Sequence, residues 1–317
     1  MRRRVKLLCM VAVLVVLTDV SLWFVAIDRM RDVWRDFLTQ TQASGWSVAA
    51  QEPVAEGWPF AARLRVPGIE LSGPDQILPG GAAFGAEIVV AELSVLHPTR
   101  LLLLPQGRMH GRVGRMPDTD ISAASLQAEI DLADNTTRLR ADSLVLHTAP
   151  EPIPVDHLDL MLRQERDALA LQISLDGLDL SPFTRQIPLD GLVRHLAVKT
   201  RLENNQLVLR DLALDWDKLG LTGNAALHAD SGGQPDGDGR MLIAGAEDEL
   251  DDLVAAGRVT AQNATTAKLV LGLLQKRQPD GRMMVDLPFA LHNRQLSVGQ
   301  FPVARLPPMP PLLGMYR

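Results

Sequence analysis

The sequence predicts a mainly β protein with a few helices, held behind an N-terminal transmembrane helix. Three observations lead there: a basic cluster ahead of a long apolar run, a period-two alternation of apolar and polar residues that recurs along the chain, and one late helix-favouring stretch. They divide the 317 residues into a cytoplasmic basic stub and anchor (1–27), a juxtamembrane amphipathic helix (28–45) and a β-rich periplasmic domain (46–317). The domain is expected to be an elongated antiparallel sheet or sandwich with a helical pair in its C-terminal half.

The anchor comes first in the chain. Arg2, Arg3, Arg4 and Lys6 precede an apolar run from Leu7 to Ile27 interrupted by Thr18, Asp19 and Ser21. A hydrocarbon core of about 30 Å takes roughly 20 residues of helix to cross. Positive residues stay in the cytoplasm, so Arg2, Arg3, Arg4 and Lys6 are topology determinants and the rest of the chain lies beyond the membrane. A cleaved leader would want small residues before its cut; the stretch Thr18 to Phe24 offers none, which favours an uncleaved span. Asp19 lies past the midpoint, either tolerated near the outer interface or facing a partner helix. Trp23, Phe24 and Trp34 suit an interfacial belt of aromatic rings.

Beyond the anchor, Met30, Val33, Trp34, Phe37, Leu38 and Thr41 recur at helical spacing and Gly45 ends the pattern. From Trp46 the period becomes two. Trp58, Phe60, Ala62, Leu64 and Val66 alternate with Pro59, Ala61, Arg63 and Arg65, placing the first set on one sheet face. The same alternation runs through Ala124 to Leu132, Leu158 to Leu162, Leu169 to Leu175, Leu212 to Trp216 and Leu219 to Leu227. Asp176-Gly177, Asp190-Gly191 and Asn204-Asn205 supply turn signals between strands. Helices are expected over about 247–276, and strands resume at Met283 to Leu287 and Leu296 to Val298. Asp230 to Gly239 reads as a mobile loop, and the tail over 302–311 is too rich in proline for a sheet interior.

Composition narrows the function. The whole chain carries −6, of which the four cations before the span contribute +4, leaving about −10 for the remainder. An acidic body is a poor nucleic-acid binder, since that affinity comes from cations neutralising phosphates. Cys9 is the only cysteine, which excludes an intrachain disulfide and a thiolate metal cluster. Aromatic residues make up only 4%, unlike a sugar-binding or base-stacking surface, and the apolar mass is aliphatic.

Motifs for chemistry are missing. His97, His110, His147, His157, His195, His228 and His292 are scattered singly, with no H-E-x-x-H pair. Asp118-Thr119-Asp120 and Asp236-Gly237-Asp238-Gly239 are too short to specify a metal site, and the glycine run from Gly80 to Gly85 lacks the following Lys-Ser/Thr of a P-loop. No catalytic residue, cofactor or metal is expected, and the chain reads as a non-enzyme.

The Glu56-Gly57-Trp58-Pro59-Phe60 element and the late Asn293 to Gly299 stretch followed by Pro302, Pro307 and Pro308 resemble an uncharacterised, DUF2125-like family of single-span proteins from alphaproteobacteria. The usual glycine of that family's D-G-x-L turn is replaced here by Arg294-Gln295. More loosely, Gln206 to Trp216 followed by Leu219 to Gly223 is similar to the strand units of AsmA-like envelope proteins. That resemblance implies an anchored, curved β-sheet with an aliphatic concave face, and a role in lipid contact or envelope homeostasis.

Two readings stand side by side. In one, an inner-membrane-anchored periplasmic sheet shelters lipid in an apolar groove formed by Trp58, Phe60, Leu64, Val66, Leu171, Ile173, Leu214, Trp216 and Leu221. In the other, the same residues fill a β-sandwich that serves as a scaffold for envelope assembly. The expected partners are membrane lipids and envelope proteins, with no nucleic acid.

Overall fold

The computed structural model describes residues 2–58, 61–74, 80–94, 97–114, 117–148, 151–181, 191–204, 206–230, 234–277, 283–299 and 301–305, with the side chains of 2–9, 11–13, 15–17 and 229 left out. Among these, eighteen strands and three helices are present, so the chain is mainly β. It divides into two compact units, residues 1–122 with 126–138, and 123–125 with 139–317.

The first unit opens with α1 (Arg2–Ala43), a single unbroken helix spanning both the expected anchor and the expected amphipathic segment. It is followed by β1 (Ser47–Ala49), β2 (Val54–Glu56), β3 (Ala61–Gly73), β4 (Ala82–Ser94), β5 (Arg100–Val113), β6 (Thr119–Ser122) and β7 (Ser125–Asp131). β3, β4 and β5 form an antiparallel meander, with β1 and β2 both paired to β3 and with β6 and β7 both paired to β5. The alternation read in the sequence holds here: Ala62, Leu64 and Val66 are at most 2% exposed while Arg63 and Arg65 face solvent.

What covers this face is α1 itself. Trp23, Ile27, Met30, Trp34, Leu38 and Thr41 recur at three and four residues and form its less exposed stripe. Ile27 and Met30 pack against Ala62 and Leu64, and Trp34 reaches the neighbouring cluster of Ile69, Ala86 and Met109. The Trp23 indole N–H also donates to the Ala61 carbonyl at 3.2 Å. This corrects the interfacial-belt expectation for Trp23 and Trp34, which are sheet-packing residues; Phe24 alone of the three stays outward, 58% exposed. The stripe is also rotated from the expected one, leaving Val33 and Phe37 at 37% and 39% exposure.

Among the described residues no helix is long and apolar enough to cross a membrane. Nine of the side chains in the span expected over Leu7–Ile27, those of 7–9, 11–13 and 15–17, lie outside the description.

The second unit takes in most of β8 (Thr136–His147), then β9 (Ile153–Gln164), β10 (Ala168–Asp179), β11 (Leu192–Glu203), β12 (Gln206–Trp216), β13 (Leu219–Ala229) and β14 (Pro235–Ala244). Next come α2 (Ala246–Ala255) and α3 (Ala261–Leu274), the helical pair expected over about 247–276, with Thr260 capping α3 through its hydroxyl to the Asn263 N–H. β15 (Gln275–Arg277), β16 (Met283–His292), β17 (Gln295–Val298) and β18 (Phe301–Arg305) complete it. β9 to β14 pair in succession, antiparallel throughout, and β16 joins β14.

One expectation needs correcting. The supposed loop over 230–239 is a strand from Pro235 onward, paired to β13 along its length and to β16 from Gly237. Its glycines belong there because neighbours press close: a Cβ on Gly239 would stand 2.4 Å from the Phe289 ring. Of the proline-rich tail over 302–311, residues 306–311 lie outside the described residues, and Pro302 lies in β18, opposite Ser297 beside a register shift. All five residues of β18 are exposed, the kind of position where a missing N–H is tolerated.

Candidate functional site

Strand register in the second unit assembles an extended aliphatic surface. Leu158, Leu175, Leu196, Leu214, Leu221, Ile243 and Val285 stand opposite one another in a single row across seven strands. Directly opposed residues share a face, so the row is continuous. Two residues along each strand, a second row runs through Leu160, Ile173, Val198, Leu212, Gly223, Met241 and Leu287. The positions between them project to the other side and are mostly polar or small: Asp159, Ser174, Ala197, Ala213, Thr222, Leu242 and Asp286.

The aliphatic rows are not sealed. Of the first row only Val285 is buried, at 2%; the other six are half-buried, in contrast to Leu64 in the first unit. Fully burying a leucine or isoleucine yields about 1.5–3 kcal/mol, so each partly exposed member forgoes some of it. A surface of this size and chemistry has free energy to gain from further cover.

At one end the face meets the helices. Trp216 stands opposite Leu219, and Leu219 also lines a cleft of about 700 Å³ walled by Ala246, Leu250 and Leu253 of α2 and by Val270 and Leu271 of α3. Glu249 lines the same cleft, whose other polar members are Asn263 and Thr266; it is 4% exposed, with no hydrogen-bond partner on either carboxylate oxygen. Burial first, and then the charges of Asp217 and Asp252, push its carboxyl above the usual range, against a smaller opposing pull from Lys218. The outer side of α3 is apolar as well, with Leu269 65% and Leu273 79% exposed.

The residues read from the sequence fall into separate groups. Leu171, Ile173, Leu214, Trp216 and Leu221 come together on the half-buried face of the second unit. Leu64 and Val66 lie in the first unit, at 2% exposure each. Trp58 precedes β3 and is 54% exposed, so it does not share their covered side. Phe60 lies outside the described residues, and Arg2, Arg3, Arg4 and Lys6 are described only as backbone in the first turns of α1.

Sequence reasoning missed two polar features. Several histidines, spaced singly along the chain, pair with carboxylates once strands align: His110 with Glu70 at 3.1 Å, His157 with Asp142 at 2.7 Å, His195 with Asp176 at 2.6 Å and His292 with Asp236 at 3.0 Å. The second is the grouping of Asp217 with Glu249 and Asp252. The i, i+3 spacing of the last two on a helix was the available signal.

The family described as an uncharacterized protein conserved in bacteria (DUF2125) matches residues 23–307. The chain belongs to this family. The match covers both units, from the sheet-packing part of α1 to the end of β18. Comparison with curated proteins and with solved structures returns no match.

Proposed function

We propose that the chain is an inner-membrane-anchored periplasmic protein whose second unit binds lipid acyl chains on its aliphatic face, in lipid transfer or envelope homeostasis. The observation that carries the reading is the seven-strand row from Leu158 to Val285, aliphatic at every position and half-open at six of them. Acyl chains suit such a surface because they supply apolar contact without asking for hydrogen bonds that it cannot make. The cleft at Leu219 extends the surface under α2 and α3. The basic cluster ahead of the apolar run supports the anchor and its orientation.

The test is site-specific photo-crosslinking in cells. A photoreactive residue at Leu171, Leu214 or Leu221 is expected to capture lipid, and one at Gln172, Asp215 or Thr222, on the opposite face, is not. Native mass spectrometry of the purified chain is expected to show bound lipid that solvent extraction removes. Capture only of other segments of the same chain, together with lipid-free protein, would overturn the proposal in favour of a self-filled scaffold.

A further inference from the structure

We propose that Asp217, Glu249 and Asp252 form a binding site for a hard divalent cation of the calcium type, at the junction of the β12–β13 turn and α2. Asp217 and Lys218 make the two-residue turn between Trp216 and Leu219, and Asp217 adopts a left-handed φ of 52°. Glu249 and Asp252 are three residues apart on α2, which brings them to one side of the helix. The turn can press on the start of α2 because residue 245 is glycine: a Cβ there would lie 1.9 Å from the Lys218 carbonyl oxygen. One carboxylate oxygen from each of the three acids then lies within 4.8 Å of the others.

That spacing suits a single ion, since oxygens held 2.3–2.6 Å from a calcium ion stand no more than about 5 Å apart. The charge suits it too. The three carboxylates carry −3 when ionised, and Lys218, whose ammonium pairs with Asp252, returns +1. The remaining −2 equals the charge of one divalent cation.

Glu249 makes this more than a chance meeting of acids. It is 4% exposed, and both of its oxygens are without a hydrogen-bond partner. A buried, ionised carboxylate in that state is costly unless something pairs with it, and metal coordination is one of the few remedies. Asp217 and Asp252 are half-exposed, so an ion has a route in from solvent and room for water in its remaining coordination positions. Glu249 also borders the cleft at Leu219, so the two proposals meet at this one residue, but calcium binding is read without added lipid and stands or falls separately.

The test is calorimetric titration of the chelator-stripped, detergent-solubilised full chain with calcium chloride, with thermal unfolding followed in parallel. One bound ion and a higher unfolding midpoint in calcium are expected, with affinity falling at least tenfold in Glu249→Gln. Asp217→Asn, which alters the turn and leaves the helix intact, carries the same expectation if Glu249→Gln does not fold. No binding up to about 10 mM, above the weakest class of calcium sites, would overturn the site. So would unchanged affinity in folded Glu249→Gln, because the ion would then be held elsewhere.

Discussion

Leu214 and Leu221 face each other across the β12–β13 pairing, in the middle of the aliphatic row, and both remain half-buried. Leu64 is 2% exposed under α1. Truncating a sealed leucine removes its transfer free energy and leaves a cavity, whereas an open position loses less of the first and little of the second. Leu64→Ala is therefore expected to cost about 2–5 kcal/mol and Leu214→Ala about 1. Urea denaturation of the two variants in detergent checks this. Equal losses would show that the face of the second unit is as tightly filled as the core of the first.

Docking of α1 on β3 to β5 rests on one side of the helix. Ile27 is 2% exposed, and Phe24, three residues earlier, is 58% exposed. Ile27→Ala is expected to destabilise the first unit by about 2–4 kcal/mol, and Phe24→Ala by less than about 1. Limited proteolysis reads the difference directly, through faster cleavage within residues 44–60 of the Ile27 variant. The opposite ranking would mean that the helix docks through its other side.

The Asp142 carboxylate accepts hydrogen bonds from the Ser125 hydroxyl at 2.6 Å and from the His157 ring at 2.7 Å. The Ser125 bond first, and then His157, hold its carboxyl below the ordinary value of 3.8. Because the folded-state value is the lower one, the pair contributes stability above the ordinary value and loses it as pH falls through the folded value. Ser125→Ala should move the Asp142 titration upward toward 3.8, as followed by carboxyl-carbon NMR. A titration unmoved by the substitution would assign the depression to His157.

Local patterning made much of the β architecture legible. The alternations at Ala62 to Val66 and at Leu158 to Leu162, Leu169 to Leu175 and Leu219 to Leu227 all lie in observed strands, because side-chain period and backbone pleat are the same property. Register was not legible: nothing local says that Leu196 meets Leu214, which meets Leu221. β4 carries no such periodic signal at its start, where Ala82, Ala83, Phe84 and Gly85 do not alternate apolar with polar residues. The acidic cluster was hidden for a related reason, since Asp217 and Glu249 are brought together by a turn packing on a helix start. Trp58 misled because alternation was extended past the end of the strand that enforces it.

The β16–β17 hairpin closes with His292 opposite Gln295, leaving Asn293 and Arg294 as its two turn residues. Their φ angles are 50° and 66°, the pair of left-handed conformations that a tight turn of the primed kind demands. Asparagine adopts that region readily. Arginine pays about 1–2 kcal/mol for its Cβ there, a strain that glycine avoids. Glycine also loosens the unfolded chain, which returns part of the gain. Arg294→Gly is accordingly expected to stabilise the second unit by about 0.5–1 kcal/mol, and Asn293→Gly to change it little. Urea midpoints of the two variants measure both effects, and a lower midpoint for Arg294→Gly would mean that Arg294 makes contacts worth more than the strain it carries.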